Sequence, residues 1–372
     1  MIIIISLNTF WNIFNFRLGL IKALQSQGYQ IIALAPHDEY FVRLEDIGVK
    51  CISVTLDHKG INPITDINLI KQYYTIFKSI RPDVILSYTI KPNIYGNLAA
   101  RVLKIPTINN ISGLGTIFIN NTIASYIGKL LYRIGLSSSE HVFFQNDEDR
   151  NLFIQAKFVK NKTSSVIPGS GVDIKHFKSS RKTNKGQRFL FSGRLISDKG
   201  VLEYLQAATL VLKKFPNKEF LLAGELGVNN KTAISKDELN SYIDKHPQIK
   251  YLGKTDNMKE LLNTIDILVL PSYREGLSKS LLEASAMKLP IITSDVAGCR
   301  DVVVHGYNGF LCKVKSTDSL VRSMEEMIRI SEEYRHEMGL KGRKRVKQFY
   351  SEEKVIKHYS NQINKLLNSK KV

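Results

Sequence analysis

At 372 residues the chain is longer than one hydrophobic core of usual size supports, and two domains are expected. Its 43% apolar content excludes a disordered or fibrous chain. A formal net charge of +19 favours an anionic partner, whether nucleic acid, an acidic membrane surface or phosphorylated small molecules. Cys51, Cys299 and Cys312 are too isolated in sequence for a zinc site or a disulfide framework, so a reducing cytoplasm is expected. The apolar start, Met1 to Leu7, is too short for a signal peptide, and no apolar run reaches the ~18 residues of a membrane-spanning helix.

The first half alternates strand and helix. Strands are predicted at Ile2 to Leu7, Gln30 to Ala35, Lys50 to Val54, Val84 to Tyr88, Thr107 to Ile111 and His141 to Gln145. Between them helices are predicted over Phe16 to Gln27, Glu39 to Ile47, Asp66 to Ile80 and Asn93 to Leu103. This alternation predicts a doubly wound α/β domain whose ligands sit beyond the carboxyl ends of the strands. Residues on those loops, Asn15, Lys91, Ser112, Gly113 and Gly115 among them, are therefore candidates for contact with a ligand. The loop Ser112 to Thr116 lacks the six-residue glycine fingerprint of dinucleotide folds, so a nicotinamide cofactor is not expected.

Thr122 to Leu136 is amphipathic, with Ile123, Tyr126, Ile127, Leu130, Leu131 and Ile134 on one face and Lys129 and Arg133 beside it. Core packing is the commoner use of such a face; resting on a membrane is the sharper one. A polar, basic stretch, Lys178 to Gln187, marks an interdomain linker. The expected division is a first domain over 1–170, a linker over 171–187, a second domain over 188–350 and a last helix, 351–372, that crosses back to the first domain.

The second half repeats the pattern. Strands are predicted at Arg188 to Ser192, Glu219 to Ala223, Ile249 to Leu252, Ile267 to Leu270 and Ile291 to Thr293. Helices are predicted over Gly200 to Phe215, Lys236 to His246, Met258 to Asn263 and Lys279 to Met287, followed by three charged helices from Thr317 to the end.

Ile267 to Thr293 is the most informative stretch. A buried strand, a tight loop (Arg274-Glu275-Gly276-Leu277-Ser278), a helix with Ser278 as its expected N-cap and a second strand make one βαβ unit. Glu275 precedes the helix and Glu283 lies about a turn and a half inside it, close enough to face one bound molecule about a nucleotide sugar in length. The N–H groups from Gly276 to Ser280 suit a diphosphate. Gly193-Arg194, with Lys199 five residues on, brings a planar fork and a compact charge to the same sheet edge, the usual pair for two phosphates.

These motifs resemble the retaining glycosyltransferases of family 4: Gly193-Arg194 and Lys199-Gly200 after a strand, then Asp266 through Val269, Pro271 and Ser272 to Glu275-Gly276, with Glu283 completing the pair. Val166 to Phe177 (VIPGSGVDIKHF) resembles the family's interdomain segment. The resemblance implies the GT-B fold, two facing Rossmann-like doubly wound parallel-sheet domains with the active site in the interdomain cleft. The N-terminal stretches NTFWNIFNFRLGLIKAL, HDEYFVRLEDIGV, TIKPNIYGNLAAR and NNISGLGTIF are similar to a narrower bacterial subgroup. Its members move hexoses or N-acetylhexosamines, N-acetylgalactosamine among them, onto undecaprenyl-diphosphate-linked acceptors for O-antigen, capsule or glycan assembly.

The roles implied are specific. Arg194 and Lys199 neutralise the donor diphosphate, Glu283 accepts from the ribose, Glu275 contacts the transferred sugar, Gly276, Leu277 and Ser278 surround it, and Leu252 to Lys254 lie near the base. A UDP-sugar is the co-substrate; no metal and no further cofactor is implied. The enzyme is expected at the inner face of the cytoplasmic membrane, with no nucleic-acid partner. Many members carry histidine where this chain has Tyr88 and Ser112, so no general base is assigned. Two alternatives stand beside this reading. One is another GT-B enzyme, such as a UDP-N-acetylglucosamine 2-epimerase, which the Glu275/Glu283 and Gly193-Arg194/Lys199 patterns disfavour. The other is a non-catalytic basic protein binding membrane or nucleic acid, for which carboxylates in the binding loops are ill suited.

Overall fold

The structure is a computed structural model that describes residues 1–57, 62–114, 123–179, 187–228, 230 and 232–369. The chain divides into two compact units, Met1–Ser170 with Glu352–Val372, and Gly171–Ser351.

The first unit runs β1 (Ile2–Ser6), α1 (Phe10–Ser26), β2 (Gln30–Ala35), α2 (Tyr40–Glu45), β3 (Lys50–Ser53), α3 (Pro63–Ile80) and β4 (Val84–Tyr88). A π-helical turn, Pro92–Gly96, leads into α4 (Asn97–Val102), then β5 (Thr107–Ile111), α5 (Ile123–Leu136), β6 (His141–Phe144), α6 (Asp147–Gln155) and β7 (Ser164–Val166). The strands form one parallel sheet in the order β3-β2-β1-β4-β5-β6-β7.

The second unit runs β8 (Arg188–Ser192), α7 (Val201–Lys214), β9 (Glu219–Ala223), α8 (Lys236–Ile243), β10 (Ile249–Tyr251), α9 (Met258–Thr264) and β11 (Ile267–Leu270). It continues with α10 (Lys279–Ala286), β12 (Ile291–Ser294), β13 (Gly309–Cys312), α11 (Thr317–Arg329) and α12 (Glu332–Phe349). Its parallel sheet has the order β10-β9-β8-β11-β12-β13. The final helix, α13 (Glu352–Ser369), belongs to the first unit. These are two Rossmann-like domains of seven and six strands.

Strands such as β1, β8 and β11 are near-continuous Ile, Leu, Phe and Val, which suits a sheet covered by helices on both faces. Where the structure departs from the sequence pattern, local chemistry explains it. Helix α1 begins at Phe10, not Phe16, because Thr9 is extended and its hydroxyl accepts from Asn12 N at 3.0 Å. Helix α3 begins early because the Asn62 side chain caps it and Pro63 suits its first position. The stretch expected as one helix from Asn93 opens as the wide π turn, against which α5 packs so closely that a Cβ on Gly135 would stand 2.8 Å from Ile94 Cα. Of the expected linker, Val172 pairs with Ser351 and Phe177 is buried in the second unit's core.

Helix α5 corrects the commoner reading of its apolar face. Tyr126, Ile127, Leu130 and Ile134 are exposed, Tyr126 at 64% and Leu130 at 55%. The narrower opposite stripe, Ser125, Gly128, Tyr132, Gly135 and Leu136, packs inward. Among the described residues, no helix is long and apolar enough to cross a membrane.

Candidate functional site

In the second unit the strand order reverses direction between β8 and β11, and a doubly wound sheet binds ligands beyond the carboxyl ends of its strands at such a point. The two loops singled out from sequence are the ones that leave there. The loop after β8 holds Gly193, Arg194 and Lys199; that after β11 holds Glu275, Gly276, Leu277 and Ser278.

Pro271 ends β11, having no N–H to give a ladder, and the chain then stitches itself to its neighbour. Tyr273 N donates to Asp198 O at 2.8 Å, and Ser272 Oγ to the same carbonyl at 3.2 Å. Gly200 sits at φ +75°, and a Cβ there would stand 2.1 Å from Pro271 O, so no side chain fits between the loops. On the other side Gly298, also at φ +75°, presses against the carbonyls of Gly276 and Glu275, 2.5 and 2.7 Å from where its Cβ would lie. Both flanks of the Glu275-Gly276 turn are thereby fixed by backbone.

Within that frame Lys199 Nζ meets Glu275 Oε1 at 2.5 Å, with side chains 21% and 11% exposed. In so sheltered a setting the pair is held firmly, and each partner orients the other. Arg194 is exposed, and no carboxylate among the described residues pairs with it. Ser278 occupies the N-cap position of α10, but its hydroxyl makes no capping hydrogen bond. First-turn N–H groups have no intrahelical acceptor, so this helix start retains its affinity for an anion.

Glu283 lies in the second turn of α10, 8% exposed, and its ion-pair partner among the described residues is Lys279 Nζ at 3.6 Å. Burial pushes its carboxyl above the usual range, and Lys279 works against that. Hydroxyl donors from a ligand would relieve the same penalty. Leu252 and Lys254, both exposed, follow β10, three strand spacings from β11 or roughly 14 Å away. The second-unit candidates therefore share one sheet edge.

Tyr273, not among the expected residues, is drawn into this frame. Its hydroxyl donates to Glu203 Oε1 at 2.6 Å, and Lys315 Nζ lies 4.8 Å from its ring centroid. Its phenol is pushed up by burial and then by Glu203.

In the first unit the candidates are spread along the sheet edge. Asn15, expected on a loop, lies instead in the second turn of α1 because that helix starts at Phe10, and its Nδ2 donates to Trp11 O at 3.0 Å. Lys91 follows β4, where it is paired with the buried Asp66 at 2.7 Å; Tyr95 also donates to Asp66, at 2.8 Å. Ser112 is exposed after β5, Gly113 has φ +144°, and Gly115 lies outside the described residues.

No group of three or more His, Cys, Asp and Glu side chains suited to a metal ion occurs among the described residues. The one Asp-x-Asp of the sequence, Asp147-Glu148-Asp149, forms the first turn of α6, where Asp149 Oδ2 accepts from Asn146 Nδ2 at 3.2 Å.

Comparison with known proteins agrees with this geometry. The family described as "Glycosyl transferases group 1" matches residues 172–345, and "Glycosyl transferase 4-like" matches residues 4–146. The chain is 30% identical over 327 residues to N,N'-diacetylbacillosaminyl-diphospho-undecaprenol alpha-1,3-N-acetylgalactosaminyltransferase of Campylobacter jejuni, covering 83% of this chain and 84% of that protein. It is 24% identical over 332 residues to UDP-Gal:alpha-D-GlcNAc-diphosphoundecaprenol alpha-1,3-galactosyltransferase of Escherichia coli, covering 82% and 84%. Among solved structures, Anabaena HepE in complex with UDP and glucose superposes with a TM-score of 0.79 at 16% identity, over 97% of this chain and 99% of that one. A glycosyltransferase from Rickettsia africae does so with a TM-score of 0.79 at 17% identity, over 98% of each chain.

Proposed function

The chain belongs to the family 4 (group 1) glycosyltransferases, and from that premise we propose that it moves an N-acetylhexosamine, N-acetylgalactosamine foremost, from a UDP-sugar to a polyprenyl-diphosphate-linked saccharide with retention of configuration. The single observation that carries the reading is the Lys199–Glu275 pair at the start of α10, with Glu283 buried in that helix's second turn. Support for the substrates comes from the names of the Campylobacter and Escherichia relatives.

In this reading the donor diphosphate lies against the backbone N–H groups of Gly276, Leu277 and Ser278. An ammonium has three donors; Glu275 takes one from Lys199, leaving two aimed at phosphate oxygens, and Arg194 supplies its fork from the same loop. Glu283 accepts from the ribose hydroxyls, Leu252 and Lys254 flank the base, and Glu275 contacts the transferred sugar. As the bond between the sugar's anomeric carbon and the diphosphate breaks, charge grows on the leaving oxygen, where cations and fixed N–H groups stabilise it. That oxygen takes the proton of the attacking acceptor hydroxyl on the same face of the sugar. The step yields retention and needs neither a side-chain base at Ser112 or Tyr88 nor a metal. Asn15, Lys91, Ser112, Gly113 and Gly115 belong to the acceptor side.

The exposed apolar face of α5, with Lys129 and Arg133 beside it, supports peripheral attachment to the anionic inner face of a bacterial cytoplasmic membrane. The test is incubation of the chain with radiolabelled UDP-N-acetylgalactosamine, UDP-N-acetylglucosamine, UDP-galactose or UDP-glucose and a bacterial lipid extract. Label in the lipid phase from a UDP-N-acetylhexosamine, in α linkage by NMR, is expected. Absence of lipid-phase label from every donor would sink the proposal.

A further inference from the structure

The first unit holds a buried cation that the transfer chemistry above does not use. Arg17, two turns into α1, is only 4% exposed, and its Nε is enclosed without a hydrogen-bond partner. No carboxylate among the described residues pairs with it. The guanidinium is thus largely withdrawn from water with little to compensate its charge. Its compensation in view is the face of Tyr88, whose ring centroid lies 4.1 Å from Arg17 Cζ.

The groups around it are rich in donors. Gln145 Nε2 donates to Asn110 Oδ1 at 3.3 Å, and Asn110 Nδ2 donates to the Tyr359 hydroxyl at 3.1 Å, so the Tyr359 proton points onward. The enclosed Tyr88 hydroxyl makes no hydrogen bond of normal geometry. Burial, then the neighbouring Tyr359, keeps the Tyr88 phenol well above its ordinary value, so it remains a neutral O–H donor. Tyr88 and Asn110 are register partners at the carboxyl ends of β4 and β5. They lie beside β1/β4, the place where this sheet's strand order reverses. The Arg17 Nε–H and the Tyr359 O–H at that edge have no negatively charged acceptor among the described residues.

We propose that Arg17, with Tyr88 and Tyr359, forms an anion site in the first unit that receives a phosphoryl oxyanion, supplied by the diphosphate of either the lipid-linked acceptor or the donor nucleotide. This deepens the proposed function and rests on it for those two sources. Arg17 acts as a binding residue; it touches no bond that breaks.

The test is calorimetric titration of inorganic pyrophosphate into the full chain, with and without Arg17→Met, both in a Lys199→Met background that weakens the loop of the second unit. Arg17→Met is expected to lower pyrophosphate affinity about tenfold or more, the usual loss for a charge-assisted contact. It should fold at least as stably as its parent, since it removes an uncompensated buried charge. Equal affinity with and without Arg17 would overturn the site. Should Arg17→Met fail to fold, Arg17→Lys serves: weaker pyrophosphate binding supports the site, and unchanged binding overturns it. A rise in KM for a short-chain prenyl-diphosphate-linked N-acetylhexosamine alone assigns the oxyanion to the acceptor; a rise for the UDP-sugar alone assigns it to the donor. An inactive wild type with Arg17-dependent pyrophosphate binding would sink the transfer reaction and leave this site. An active enzyme indifferent to Arg17 would do the reverse.

Discussion

The two sheets reverse strand order in the same way, yet their edges handle charge oppositely. In the second unit the cation Lys199 meets Glu275 at 2.5 Å, and both flanking turns are locked by glycines. In the first unit Arg17 is buried with no carboxylate beside it among the described residues, while the nearby lysine of the β4 loop, Lys91, is paired with Asp66. The difference teaches what ion pairing does at a ligand site. A paired cation is aimed and stable when the site is empty, whereas an unpaired buried one raises the energy of the empty state and lowers it when an anion arrives.

The sharpest way to break this contrast is to remove the acid from the paired edge. Glu275→Ala should lower kcat by about 10²- to 10³-fold, as loss of a preorganised charge at a reacting centre does. Initial rates with saturating UDP-N-acetylhexosamine measure it, and a change of less than fivefold would count against the aimed Lys199. Next in size, Asp66→Asn leaves the half-buried Lys91 beside a neutral amide and should cost roughly 3 kcal/mol in stability by urea denaturation. Gly200→Ala forces a Cβ toward Pro271 O in a left-handed conformation and should cost about 2–3 kcal/mol by the same measurement.

Glu283→Gln is a smaller and two-sided change. UDP affinity should fall by about tenfold with the loss of a charged acceptor. Stability should move the other way. The folded carboxyl of Glu283 titrates above its unfolded value, so its contribution is fully present below the ordinary value of 4.5 and is lost as pH rises through the raised one. Melting curves of wild type and variant should therefore converge at acidic pH and separate, the variant higher, toward neutrality. The mildest effect is expected on α5. Leu130→Ser with Ile134→Ser should weaken flotation with vesicles containing anionic lipid by about tenfold while leaving stability near wild type, since both side chains are exposed.

Much of this was legible in sequence, and unevenly so. The strands came through because buried parallel strands are unbroken apolar runs, and the loops at the β8/β11 reversal because arginine, lysine and glutamate sit there among glycines. Helix α6 was missed because its first turn is Asp147, Glu148 and Asp149 and its apolar positions are few. Strand β7 is only three residues long, and β13, Gly309–Cys312, is led by a glycine that a sheet interior usually avoids; here a Cβ would meet Ile291 O at 2.1 Å. Arg17 carried a signal that went unused. It stands on the same helical stripe as Ile13, Leu20, Ile21 and Leu24, and a charge on a buried stripe asks for a partner. Its partners, Tyr88 from β4 and Tyr359 near the other end of the chain, are set by tertiary structure and leave no local mark. The outward face of α5 was open to two readings because periodicity finds an apolar stripe without telling what covers it.

Helix α13 has a consequence for how the protein is made. Val355, Tyr359, Ile363, Leu366 and Leu367 complete the core that α1 opens, and Tyr29 and Gln27 bond to Asn364 and Ser360 at 3.1 Å each. The second unit, Gly171–Ser351, is thus an insertion between two pieces of the first. On the ribosome the first domain must wait, its apolar flank bare, until α13 emerges after the whole of the second has been translated. A premature stop after Ser351 would therefore damage the domain that was synthesised first, leaving the later one able to close.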